Sequence, residues 1–146
     1  MRRLVVRTDG AARGNPGPAG AGWVVETPEG SIVAEGCAYL GSLTNNQAEY
    51  EALLRGLAAA APDRETEIEV YSDSELVVRQ LTGEYRVKNE DLRPRWFRAV
   101  EALERAASWS AHHVPRAENA AADALANQAI DAFDAAAPES AASDPG

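Results

Sequence analysis

Four acidic residues stand where regular elements would bring carboxylates together. Asp9 ends a β-branched run, Arg3 to Thr8, and Glu49 falls in the second turn of an amphipathic helix. Asp73 ends an alternating run that begins at Thr66, and Asp123 lies inside the last helical segment. Oxygen-only ligands of this kind suit hard divalent cations such as Mg²⁺. Two such ions roughly 3.5–4 Å apart serve phosphodiester hydrolysis, one activating water and the other relieving charge on the leaving oxygen. Holding both calls for several carboxylates. Taken singly, each acid has a plainer account. Asp9-Gly10 is a common turn dipeptide, and Asp73 sits where a helix is capped, with Ser72 and Glu75 fitting a capping box. Glu49 and Asp123 resist such readings. Ala52, Leu53 and Gly56 continue the face of Glu49, Ala126 and Ile130 that of Asp123, and a charge on a buried face needs a partner or a metal.

The elements that must position these acids follow from patterning. Arg3 to Thr8, Ala21 to Glu26 and Ser31 to Leu40 read as strands of an antiparallel meander, with a glycine- and proline-rich loop over 11–20 and a turn at Thr27-Pro28-Glu29-Gly30. Thr44 and Gln47 form a capping box that opens a helix to about Ala60, with Tyr50, Leu53, Leu54 and Leu57 on its apolar stripe and Pro62 beyond its end. Thr66 to Tyr71 alternates as a fourth strand. A short helix to Leu81, a connector over 82–90, a helix from Asp91 to about Ala107, a fifth strand over 108–114 and a helix from Asn119 to about Phe133 complete the order. That order, β-β-β-α-β-α-α-β-α, implies an α/β fold: a five-stranded mixed sheet, three antiparallel strands then two parallel, flanked by helices. One domain over 1–133 is expected, followed by a disordered acidic Ala/Ser/Pro-rich tail over 134–146.

Composition sets outer bounds. The 146 residues suffice for one self-supporting core. No apolar run approaches the ~18 residues that span a bilayer, and the N-terminus has no signal-peptide pattern, so a cytoplasmic protein is expected. Cys37 is the sole cysteine, which excludes an internal disulfide and argues against a cysteine-based zinc site. The net charge of −9 argues on its face against nucleic acid. Against that, Arg79, Arg86, Lys88, Arg93, Arg95 and Arg98 cluster in one stretch. The cluster reads either as a solvated helix and loop or as a strip that contacts phosphate.

Taken together, the motifs carry a resemblance. Thr8-Asp9-Gly10-Ala11-Ala12-Arg13-Gly14-Asn15-Pro16-Gly17-Pro18-Ala19-Gly20 resembles the opening motif of type 1 ribonuclease H. Thr44-Asn45-Asn46-Gln47-Ala48-Glu49 is similar to the second motif and Tyr71-Ser72-Asp73-Ser74 to the third. His113-Val114-Pro115-Arg116-Ala117-Glu118-Asn119, followed by Asp123-Ala124-Leu125-Ala126, resembles the last. The resemblance implies a ribonuclease H-like fold and an endonuclease that hydrolyses the RNA strand of an RNA–DNA hybrid, leaving 5′-phosphate and 3′-hydroxyl ends. It implies Asp9, Glu49, Asp73 and Asp123 as ligands of two Mg²⁺ ions, with Mn²⁺ as a substitute. It also implies His113 as the group assisting proton transfer or product release. Substrate contacts fall to Gly14, Asn15, Thr44, Asn45 and Gln47, which would meet the 2′-OH or a DNA phosphate, and to Asn119. No membrane and no obligate protein partner are implied, and a monomer is expected.

The chain departs from part of that family in one respect. Arg79 to Arg93 is too short for the basic handle helix that some relatives carry, so Arg86, Lys88, Arg93 and Arg95 are expected to replace it in part, with Tyr85 as a sugar-stacking group. The rivals are a catalytically silent binding domain of the same fold, a sister nuclease acting on DNA junctions or double-stranded RNA, and a generic acidic cation-binding protein. Loss of a metal ligand would signal the silent domain; the four acids here are complete.

Overall fold

The computed structural model describes the backbone of residues 1–142 and the side chains of residues 1–136. Three strands, β1 (Arg2–Ala12), β2 (Gly17–Glu26) and β3 (Ile32–Leu43), run antiparallel in sequence. Helix α1 (Asn45–Ala60) leads to β4 (Thr66–Ser72), and helices α2 (Glu75–Leu81) and α3 (Arg93–Glu104) lead to β5 (Ser108–His113). A 3₁₀ turn, Arg116–Asn119, precedes α4 (Ala120–Ala142). The sheet order is β3-β2-β1-β4-β5, with β4 parallel to both β1 and β5. The mixed five-stranded sheet expected from patterning is the one observed. Among the described residues no helix is long and apolar enough to cross a membrane.

Capping chemistry explains where α1 begins. The Thr44 hydroxyl accepts from Gln47 N at 3.2 Å while Thr44 N donates to Gln47 Oε1 at 2.9 Å, so two orphan donors of the first turn are satisfied. Behind it, Tyr50, Leu53 and Leu57 bury against Leu4, Val6, Ile68, Val70 and Leu103. Each such side chain contributes about 1.5–3 kcal/mol through removal from water.

The glycine-rich stretch departs from expectation. Instead of a loop over 11–20, only residues 13–16 leave the sheet, and Gly17 to Gly20 already belong to β2. Gly17 closes on the turn at Arg13, whereas Gly20, like Gly22 beyond it, marks contact with a helix. A Cβ at Gly22 would come within 2.2 Å of Ala122 O, and one at Gly20 within 2.3 Å of Ala126 O. Backbone of α4 therefore rests directly on β2. A Cβ at Gly10 would meet Ala48 O at 2.1 Å, so α1 rests on β1 in the same manner. Asp9 and Ala11, the neighbours of Gly10, pair with Gly22 and Gly20. Alternation along a strand then places α1 and α4 on opposite faces of the sheet.

The last helix also outruns its expected end at Phe133. Ala135 and Ala136 are exposed and add no apolar anchor, yet alanine is the strongest helix former, and the helix continues to Ala142. Residues 143–146 of the expected tail lie outside the described residues.

Candidate active site

Strand β1 keeps pairing with β2 as far as Ala12, but its last pair with β4 is Thr8↔Ser72. Beyond that pair the two parallel strands part: β1 turns back as β2 on one flank, and β4 leads through α2 and α3 to β5 on the other. Open α/β sheets place their ligand crevices at such a point.

Each of the four acids reaches this fork from a different element. Asp9 lies in β1, one residue past the last β1–β4 pair, and is 4% exposed. Glu49 comes from the second turn of α1, brought against the strand by the missing side chain of Gly10, and its Oε1 accepts from Gly10 N at 2.6 Å. Asp73 follows β4 directly. It does not cap the next helix: Ser74 does, its hydroxyl accepting from Val77 N at 3.3 Å, while Ser72 Oγ accepts from Ser74 N. The Asp73 carboxylate is thus left for the cluster. Asp123 stands in the first turn of α4, next to Ala122, the residue whose carbonyl rests on Gly22. Oxygens of Asp9, Glu49 and Asp73 lie within 4.8 Å of one another. All four acids line one cleft of about 130 Å³, together with Gly10, Ala11, Asn45 and Arg116.

The electrostatics of this cluster are severe. Burial pushes the Asp9 carboxyl up to about 10, with the charges of Glu49 and Asp73 adding to the rise. Burial likewise pushes Glu49 up to about 8, against the opposing pull of the Gly10 N–H. Carboxylates so close stay ionised together only with positive charge among them. An all-oxygen donor set of this density suits a hard divalent cation, and the residues fit such a group.

The other expected site residues divide into those the fold gathers and those it does not. Asn15 Oδ1 accepts from Asn45 N at 3.0 Å, so the 13–16 loop is tied to the start of α1, where Asn45 lines the cleft. Gly14, at φ 101°, makes the backbone turn that a side chain would strain. Thr44 and Gln47 face each other in the capping box. Asn119 is 1% exposed and donates from Nδ2 to Thr8 O at 2.8 Å, which fixes β1 one residue before Asp9. Arg86 and Lys88 are exposed on the connector, and among the described residues neither makes an ion pair or a side-chain hydrogen bond. His113 ends β5, exposed, opposite Ser72, and is not among the residues that line the cleft.

Sequence reasoning assigned no role to Arg116, which does line it. Its Nη2 lies 3.2 Å from Asp123 Oδ1. The 3₁₀ turn that carries it is the reason it was missed, because a strand-to-helix connection of unknown shape gives no periodicity to read. The one available signal was a cation in the short segment between the last strand and Asp123.

Comparisons with known proteins agree with this geometry. The sequence model of a family described as "Reverse transcriptase-like" matches residues 7–129. The chain is 54% identical over 123 residues to a protein named ribonuclease HI of Halobacterium salinarum, covering 84% of this chain and 62% of that one. The crystal structure of RNase H1 from that archaeon superposes with a TM-score of 0.83 at 52% identity, covering 88% of this chain and 98% of that one. It is also 43% identical to the bifunctional protein Rv2228c of Mycobacterium tuberculosis over 97% of this chain and 38% of that one. LC11-RNase H1, isolated from compost and solved in complex with an RNA/DNA hybrid, matches with a TM-score of 0.83 at 43% identity, covering 89% and 98%. The chain therefore spans less than two thirds of the length of the Halobacterium and mycobacterial proteins it matches in sequence.

Proposed function

The chain belongs to the type 1 ribonuclease H family, and on that premise we propose that it is a metal-dependent endonuclease hydrolysing the RNA strand of RNA–DNA hybrids. The observation that carries the reading is the convergence of four acids from four separate elements on one small cleft. At about 130 Å³ the cleft is far below the roughly 300–1,000 Å³ of pockets that engulf small ligands. It has room for ions, while an extended polymer would lie across its mouth. The match to a relative solved with an RNA/DNA hybrid supports the choice of polymer.

Asp9, Glu49, Asp73 and Asp123 would hold two Mg²⁺ ions, with Mn²⁺ as a substitute. When bound, the ions supply an activated water and charge relief at the leaving oxygen. The protein's own part is orientation. Gly10 N–H fixes one Glu49 oxygen, Asn119 fixes the strand at Asp9, and Arg116 offers a guanidinium where negative charge builds on a phosphate. Of the two candidates for assisting the reaction, Arg116 is the stronger, because it lines the cleft and His113 does not. We assign His113 to proton transfer or product release from the rim, as the family resemblance implies. Recognition of the 2′-OH falls to Gly14, Asn15, Asn45 and Gln47, with Thr44 beside a phosphate of the DNA strand. Arg86 and Lys88 provide outer phosphate contacts. The products would carry 5′-phosphate and 3′-hydroxyl ends. We place the enzyme in the cytoplasm as a monomer with no obligate protein partner.

The test is cleavage of an end-labelled RNA–DNA hybrid with Mg²⁺ or Mn²⁺, beside single-stranded RNA, double-stranded RNA and duplex DNA. Metal-dependent cutting of the hybrid's RNA strand alone is expected. Folded protein that cuts none of the four would return the reading to a silent binding domain of this fold.

A further inference from the structure

One side chain binds the 13–16 loop to the last helix. Arg13 Nη2 lies 2.7 Å from Asp131 Oδ1 and donates to Asn127 Oδ1 at 3.2 Å, while its Nη1 reaches Asp134 Oδ2 at 3.2 Å. Asn127 in turn directs its Nδ2 at Asp123, 3.0 Å from the backbone oxygen and 3.4 Å from Oδ1. On the other side of the loop, Arg13 N donates to Pro18 O at 2.8 Å and Asn15 Oδ1 accepts from Asn45 N at 3.0 Å. A continuous chain of contacts therefore runs from the start of α1, through the loop, to the carboxylate of Asp123.

The ion pairs in this chain are too exposed to matter much for stability. The side chain of Arg13 is 40% exposed and those of Asp131 and Asp134 are 66% and 48%, and ion pairs so open to water add little to stability. What Arg13 fixes is a direction. A guanidinium carries only donors, so the Asn127 amide must turn its oxygen toward Arg13 and its NH₂ toward Asp123. Without Arg13 the amide oxygen loses its partner, and only the two Asp123 acceptors still hold Nδ2 in this aim. Lysine offers a point charge rather than a planar fork and cannot hold three acceptors in one arrangement.

We propose that Arg13 and Asn127 are positioning residues that orient Asp123 for metal and couple that orientation to the loop bearing Gly14 and Asn15. The proposal rests on the reading of Asp123 as a metal ligand in a hybrid-cutting nuclease. Groups that orient a ligand from behind typically change metal affinity by 10–100-fold when removed.

The experiment is calorimetric Mn²⁺ titration of the whole chain, alongside hybrid binding in EDTA and thermal unfolding, for Asn127→Ala, Arg13→Ala, Arg13→Lys and the double variant. Asn127→Ala should weaken Mn²⁺ binding by about 10-fold with hybrid affinity in EDTA unchanged. Arg13→Ala should weaken both, and Arg13→Lys should fail to restore the Mn²⁺ term. The double variant should bind Mn²⁺ no more weakly than Asn127→Ala alone, since both act through one amide. Wild-type Mn²⁺ affinity in Arg13→Ala and Asn127→Ala, or losses that multiply in the double variant, would overturn the proposal. Should Arg13→Ala fail to fold, Asn127→Ala decides it by the Mn²⁺ titration. A wild-type protein that binds Mn²⁺ but cuts no hybrid would defeat the nuclease reading, while the titrations would still judge the coupling.

Discussion

The carboxylate cleft and the basic stretch around residues 79–98 are held by opposite means. In the cleft, the acids are fixed by backbone contacts: helix on strand at Gly10 and Gly22, a hydrogen bond from Gly10 N–H to Glu49, and an asparagine gripping the strand at Thr8. In the basic stretch, side chains hold one another. Arg95 pairs with Glu51 at 2.8 Å, Arg79 with Glu75 and Glu84, and Arg93 donates to Val87 O at 3.0 Å. Four of the six cations that suggested a phosphate-binding strip, Arg98 with Glu51 included alongside Arg79, Arg93 and Arg95, already have partners and count for the fold. Only Arg86 and Lys88 face solvent without one among the described residues. Chemistry here is set by burial, whereas recognition depends on which surface charges remain uncommitted.

That contrast can be broken at the cleft first. Asp73→Asn should lower hybrid cleavage by about 10³-fold, the scale of losing one preorganised charge-stabilising group, with the circular dichroism spectrum unchanged. Retained activity would remove Asp73 from the metal site.

Next in size is a stability effect of the opposite sign. The Asp9 carboxyl is pushed up to about 10, so in the metal-free fold it stays protonated while the unfolded chain ionises above pH ~4. Its contribution is complete below that pH and is lost as pH rises toward the folded value, by about 1.4 kcal/mol per unit. Asp9→Asn should therefore stabilise the metal-free protein by roughly 2–4 kcal/mol at pH 7, with no gain near pH 4. Denaturant unfolding at the two pH values checks this, and equal effects at both would show that Asp9 carries its charge freely.

Arg116→Ala should lower kcat/KM by about 10–100-fold, the equivalent of a charged hydrogen bond at roughly 1.5–3 kcal/mol. His113→Ala should cost less. A reversal of that order in steady-state kinetics would return the assisting role to the histidine. The smallest effect belongs to the surface. Arg86→Ala with Lys88→Ala should reduce the salt dependence of hybrid binding by up to about one unit of log–log slope per cation, and an unchanged slope would leave the whole stretch structural.

The same division governs what the sequence disclosed. Strand alternation and helical spacing put Asp9 on the first strand, Glu49 on the first helix, Asp73 at the end of the fourth strand and Asp123 on the last helix, because elements with one buried face leave a periodic trace. Glycine misled in one place: Gly20 reads as loop punctuation, yet it marks a helix pressed against a strand, a tertiary fact without a local signature. The capping of α2 by Ser74 rather than by its neighbours was likewise decided by where β4 ends. Arg116 was invisible because its aim depends on a four-residue 3₁₀ turn.

The contact of α4 with Gly20 and Gly22 has a dynamic consequence. With no strand side chain at Gly20 or Gly22, the carbonyls of Ala126 and Ala122 bear directly on β2, and little slack remains there for α4 to slide. Larger excursions must then take the form of lifting, in which Asp123 leaves the fork and the face of β2 at Gly20 and Gly22 is uncovered. Hydrogen exchange of the α4 amides, which lose their tertiary support on lifting, would then report the same opening event that takes Asp123 from the cleft, so the carboxylate cluster and the cover of the sheet form one cooperative unit.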